Sequence, residues 1–122
     1  MKTLSELVED FARNVTGQKE ALRRDDVRAG NRCADKYMRA WRSLRERGDE
    51  GREALASLLN CESADVRGMA AACLLRYRTD EAQRVLKEVA EEKGLAAFGA
   101  SQALERWAEL EDKDRWGLDP VS

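Results

Sequence analysis

Apolar residues recur near the 3.6-residue helical period from the start of the chain. Leu4, Leu7, Val8, Phe11 and Val15 fall on one face, the spacing of an amphipathic helix. Thr3 followed three positions later by Glu6 forms a capping box that marks where this helix begins. Ala21 and Leu22 carry the stripe on to about Arg24, and Gly17 in its middle predicts a kink. Asp25 or Asp26 then caps a second helix, which runs to about Arg47 and is stopped by Gly48. On a helical wheel Ala34, Tyr37, Met38, Trp41 and Leu44 gather on one side, whereas Arg28, Arg32, Lys36 and Arg39 gather on the other. The first side must face a core and the second must face water.

The remaining helices are shorter. Ala54, Leu55, Leu58 and Leu59 predict a helix over Glu50 to Asn60. Ser63 caps the next, ADVRGMAAACLLRY from Ala64 to Tyr77, with Asp65 as a favourable charge in its first turn. Thr79 caps a fifth helix, in which Ala82, Val85, Leu86, Val89 and Ala90 face inward until Gly94. A sixth is expected from about Leu95 to Leu110. A repeat emerges at a period of 30 residues, because ADVRGMAAACLLRY aligns with GLAAFGASQALERW. Ala70 then lies over Ala100, Leu74 over Leu104, Arg76 over Arg106 and Tyr77 over Trp107. Small residues that admit a neighbouring helix, followed by a Leu pair, suggest a HEAT-type unit. The expected fold is all-α: a short HEAT-like helical-repeat stack, an α-α superhelix of about six helices in three antiparallel pairs. Residues 1–122 are expected to form one domain. Its 110–122 tail, in which EDKDRWGLDPVS follows Leu110, is too polar for a further helix, and it either docks on the domain through Trp116 and Leu118 or extends from it.

Composition narrows the chemistry. Charged residues make up 38% of the 122 positions, yet the formal net charge is only −2, so the chain as a whole has no pull toward nucleic acid. The charge is unevenly spread. Arg23 to Arg47 holds nine Lys or Arg against four Asp or Glu, and Asp80 to Asp114 holds five against ten. There is no histidine, which removes the commonest general base and the commonest zinc ligand. No Gly-rich phosphate loop is present, since Gly48-Asp49-Glu50-Gly51 is a short turn between helices. Acidic runs such as Glu91-Glu92 and Glu109, Glu111 and Asp112 fall on helix ends and the tail and read as surface runs, with no sequence sign of the burial a catalytic carboxylate needs. Cys33, Cys61 and Cys73 are odd in number and lack C-x-x-C spacing. They are therefore read as buried, inert thiols, with no disulfide framework, metal or organic cofactor expected. No apolar run approaches the roughly 20 residues that span a bilayer, and the acidic start MKTLSELVEDF is unlike a targeting peptide. A cytoplasmic protein without enzymatic activity or membrane attachment is expected.

Three features remain as candidate contacts. The stripe Arg28, Arg32, Lys36 and Arg39 could meet an anionic partner, although no aromatic residue interleaves with it as single-stranded nucleic-acid binders require. Arg67 follows Asp65 by two positions and is expected to bridge helix-end carbonyls or an acidic residue, with a ligand role as the alternative. Trp41 and Trp107 lie on apolar faces, whereas Trp116 stands in the polar tail and either caps the hydrophobic end of the stack or offers an exposed anchor.

The LSELVEDF opening, Gln18 with Ala21, ADVRGMAAACLL, GASQALERW and the late WGLDP agree in order and spacing with a known family over nearly the whole chain. The sequence resembles the bacterial family called domain of unknown function 2019, small all-helical proteins with HEAT-like repeats. That resemblance implies a helical fold and a bacterial origin, and it carries no activity or functional residue. The function expected is thus that of a protein-binding module, with Arg28, Arg32, Lys36, Arg39, Arg67 and Trp116 as the contact residues. An immunity or antitoxin-type protein that blocks a toxin is its most concrete form. The alternative is nucleic-acid binding by the basic face of the second helix, against which the net acidic charge argues.

Overall fold

The computed structural model describes residues 1–121. They form six α-helices and two 3-10 turns, with no strand among the described residues. The chain divides into two compact units, Met1–Leu58 and a second that begins at Leu59.

In the first unit α1 (Leu4–Arg23) and α2 (Val27–Glu46) form a tight antiparallel hairpin, against which α3 (Asp49–Ala56) packs. The capping box is complete: Glu6 N–H donates to Thr3 Oγ1 at 3.1 Å, and Thr3 N–H donates to Glu6 Oε1 at 2.9 Å. Hydrogen bonding from Thr3, first from its backbone N–H and then from its side chain, holds the Glu6 carboxyl below its usual pKa. Asp26, not Asp25, caps α2 by accepting from Ala29 N–H at 3.1 Å. Asp25 instead takes φ 59° in the turn, a conformation that Asp tolerates better than most residues. The hairpin core is Phe11, Val15, Trp41 and Leu44, with Phe11 set edge-on to Tyr37 at 5.7 Å between ring centroids.

Helix α1 runs unbroken through Gly17. A Cβ at position 17 would lie 2.9 Å from Cys33 Sγ, so this glycine serves the close approach of α2. The Gly48–Gly51 segment is more than a turn. Gly48, at φ 68°, precedes α3, and Gly51 lies inside it, against the end of α2. The expected helix over Glu50–Asn60 starts one residue earlier and tightens into a 3-10 turn over Ser57–Asn60.

In the second unit α4 (Ala64–Cys73), α5 (Thr79–Ala90) and α6 (Leu95–Glu109) pack against one another. Ser63 caps α4 by accepting from Val66 N–H at 3.3 Å. Gly68 and Ala70 to Ala72 are buried, so α4 makes its contacts through small side chains as its sequence predicts. It ends sooner than expected, at Cys73. Leu74 and Leu75 turn inward, fully buried, within a reversal closed by Arg78 N–H donating to Leu74 O at 2.8 Å. The 30-residue register therefore holds at buried Ala70 and Ala100 but lapses after Cys73, where the second copy remains helical to Glu109. Thr79 opens α5 but does not cap it. The cap position is Arg78, whose guanidinium donates to Glu81 at 2.8 Å in the acidic first turn.

The tail folds back on this unit. Trp116 is buried, edge-on to Trp107 at 5.5 Å, and Asp119 is fully buried beside Arg76. Lys113 sits over the Trp107 ring at 5.0 Å and donates to the carbonyls of Trp107 and Leu110, which closes the end of α6. Ser122, the last residue of the expected tail, lies outside the described residues.

Candidate functional site

The residues singled out from sequence separate into two groups. Arg28, Arg32, Lys36 and Arg39 are all exposed on α2, where helical spacing sets each beside the next. Among the described residues none of their side chains makes a hydrogen bond or ion pair. Arg67 and Trp116, by contrast, are committed to the fold. The Arg67 guanidinium donates to the carbonyls of Cys61 at 3.0 Å and Glu62 at 2.9 Å and pairs with Glu92 at 2.8 Å. It thereby ties the loop before α4 to the end of α5. The Trp116 indole N–H donates to Ala72 O at 2.7 Å with the ring 6% exposed, so Trp116 is a buried clamp and not a surface anchor. Burying the ring removes apolar area from water, and the Ala72 carbonyl satisfies the polar edge of the indole.

Lys36 and Arg39 have company that the sequence did not single out. The antiparallel hairpin brings the start of α1 beside the end of α2, and an open groove of about 880 Å³ lies there. Its cations are Lys2, Arg13, Lys36, Arg39 and Arg47, set against Asp10 and Glu46. Asp10 accepts from both Lys2 and Arg13, while Arg47 donates to the Lys2 carbonyl. Asp10 is therefore held below its usual pKa, chiefly by the hydrogen bond from Lys2 and further by the charges of Lys2 and Arg13. Asn14 donates to Asp10 O at 2.8 Å. Leu7 and Ala40 line the groove between these polar walls. The signal for Lys2, Arg13 and Arg47 lay in the hairpin itself, since a three-residue turn obliges the chain ends of α1 and α2 to meet.

No group of three or more His, Cys, Asp or Glu side chains able to hold a metal ion occurs among the described residues. Of the three cysteines expected to be buried, only Cys73 is; Cys33 and Cys61 are half-buried, and none of the three forms a disulfide among the described residues. Among the described residues no helix is long and apolar enough to cross a membrane. What the arrangement offers chemically is an array of fixed positive charge.

The fold and this surface define a small all-α protein. The chain belongs to the family described as Domain of unknown function (DUF2019), whose family model matches residues 5–107. The matched region holds the whole of the α2 stripe and stops at Trp107, before the docked tail. No curated protein and no solved structure matches the chain.

Proposed function

We propose that the protein is a cytoplasmic, non-catalytic module that binds another protein through the cationic face of α2. The observation that carries this reading is the row Arg28, Arg32, Lys36 and Arg39, exposed and unpartnered among the described residues. Elsewhere the arginines are put to use: Arg67, Arg76 and Arg78 each have an acidic partner. Like charges three or four positions apart on a helix destabilise it by roughly 0.2–0.5 kcal/mol per pair. An anionic surface laid on the row relieves that repulsion and speeds encounter. The HEAT-like recurrence of small-residue helices fits a binding scaffold, and the absence of histidine fits one without acid–base catalysis.

Protein is favoured over nucleic acid on charge. Four phosphate contacts give weak, salt-labile binding, and the segment Asp80–Asp114 adds an acidic excess that repels a polyanion. A bacterial immunity or antitoxin-type role is the narrower form of the reading, and small size and high charge suit it. Cross-linking in the source cell tests it. Wild-type protein should capture a defined protein partner, and the variant with Arg28, Arg32, Lys36 and Arg39 all changed to Glu should lose it. Capture that is indifferent to all four changes overturns the proposal. Duplex DNA binding at low salt, lost on Arg32→Glu with Lys36→Glu and with no protein captured, favours nucleic acid instead.

A further inference from the structure

The groove at the open end of the α1–α2 hairpin divides the basic stripe into two halves of different character. Lys36 and Arg39 line it, whereas Arg28 and Arg32 lie outside it. At about 880 Å³ it lies in the size range of clefts that hold a drug-sized ligand, room for a few side chains of a partner. Its seven charged side chains leave a net excess of three positive charges. Asp10 already satisfies Lys2 and Arg13, and Arg47 is held by the Lys2 carbonyl. The charges still open to a ligand are those of Lys36 and Arg39.

The distribution of donors decides what kind of anion fits. A compact phosphate is best held by converging backbone N–H groups or a helix N-terminus. Here the start of α1 is closed by its own capping box, with Thr3 and Glu6 satisfying each other, and the other helix end contributes carbonyls. The groove thus offers separated side-chain cations. Residues three apart on a helix stand about 5–6 Å apart at Cβ, the spacing of two carboxylates one helical turn apart in a partner.

We propose that this groove seats an acidic segment of a protein partner, with two carboxylates about one turn apart pairing with Lys36 and Arg39 over Leu7 and Ala40. The inference rests on the protein-binding reading and names the segment that is recognised. The partner's surface then extends along α2 toward Arg32 and Arg28, which steer encounter without entering the groove.

The test titrates the full-length, isotope-labelled chain with a blocked alanine-based peptide carrying Glu residues four apart, with its Gln twin, and with inorganic tripolyphosphate. The Glu peptide should shift the amide signals of Ala40 and Ser43, and the Gln twin should not. Lys36→Glu with Arg39→Glu should weaken Glu-peptide binding at least tenfold, and Arg28→Glu with Arg32→Glu less than threefold. Both pairs replace exposed side chains, and unchanged far-UV circular dichroism establishes that each variant is folded. Equal losses from the two pairs, equal binding of the Gln twin, or tighter binding of tripolyphosphate than of the Glu peptide overturns the inference. If the peptide fails while cellular capture still depends on Arg28 and Arg32, the groove assignment falls and the binding module stands. If capture ignores all four residues, both fall.

Discussion

Trp116 and Ala72 are joined by a 2.7 Å hydrogen bond from the indole N–H to a main-chain carbonyl near the end of α4. The bond lies 44 positions apart in sequence and is buried. It fastens the tail at the point where α4 gives way to its terminal reversal. Arg76, three residues beyond Cys73, completes the attachment by donating to the Asp119 carbonyl and approaching its carboxylate at 3.5 Å. An aromatic pair, two hydrogen bonds and an ion pair thus act on one segment.

The tail should therefore behave as part of the second unit in unfolding experiments. Trp116→Ala removes the ring, and losses of about 3–5 kcal/mol accompany such truncations of buried aromatics. Trp116→Phe keeps most of the apolar area but leaves the Ala72 carbonyl without its donor, at a cost of about 1–3 kcal/mol. Urea denaturation of the two variants should rank them in that order. A Trp116→Ala protein as stable as wild type would contradict the buried clamp.

Arg67 makes two kinds of contact, and mutation can separate them. Its pair with Glu92 involves a carboxylate whose side chain is 46% exposed, and such pairs contribute under about 1 kcal/mol. The bonds to the Cys61 and Glu62 carbonyls hold the loop that leads into α4, and charged hydrogen bonds of this kind contribute about 1.5–3 kcal/mol. Glu92→Gln should change stability only slightly, while Arg67→Ala should cost several times more. Equal effects in thermal unfolding would show that the ion pair and not the carbonyl bonds holds the loop.

Most helix caps were legible because their signals are local, although Thr79 does not cap α5 as expected. Thr3 with Glu6 and Ser63 each announced a cap that the structure contains, and Asp26 was one of two residues offered for the third. The end of α4 was not legible, because Leu74 and Leu75 continue the apolar pattern and periodicity does not distinguish a buried turn from another helical turn. The docking of Trp116 was one of two alternatives its sequence position allowed, but its partner Ala72, 44 positions away, was not legible. The exposed face of α2 followed from the wheel, but the groove required the hairpin: Arg47 meets Lys2 across 45 positions. Local chemistry names the side chains, and topology decides which of them meet.

Gly51 offers a sharp steric test of the first unit. A Cβ added there would fall 1.7 Å from the Leu44 carbonyl oxygen, with the Leu44 carbonyl carbon at 2.6 Å. Both are backbone atoms, so no side-chain rotation relieves the clash. Gly→Ala in a helix ordinarily gains about 1 kcal/mol in propensity, but overpacking against a main chain costs about 1–3 kcal/mol or more. Sterics should win, and Gly51→Ala should lower the unfolding midpoint. A stabilised Gly51→Ala variant would mean that α3 does not approach α2 this closely.

Acid should act on the groove through Asp10. The hydrogen bond from Lys2, with the charges of Lys2 and Arg13, lowers its pKa in the folded state below the ordinary 3.8. A depressed carboxyl pKa contributes stability that is present above the unfolded value and is lost as pH falls through the folded one. The contribution is therefore complete near neutrality and disappears below about pH 4. Its size is held under about 1 kcal/mol by the solvent around Lys2, whose side chain is 59% exposed. Asp10→Asn should accordingly reduce stability slightly at pH 7 and make the variant and wild type converge near pH 2, as followed by urea midpoints across that range. Removing this carboxylate also frees Lys2 and Arg13 to face the groove, so the Glu-bearing peptide should bind Asp10→Asn more tightly than wild type at pH 7. Weaker binding would show that Asp10 is needed to hold the cationic wall in place, and the gain expected from two released charges would be refuted.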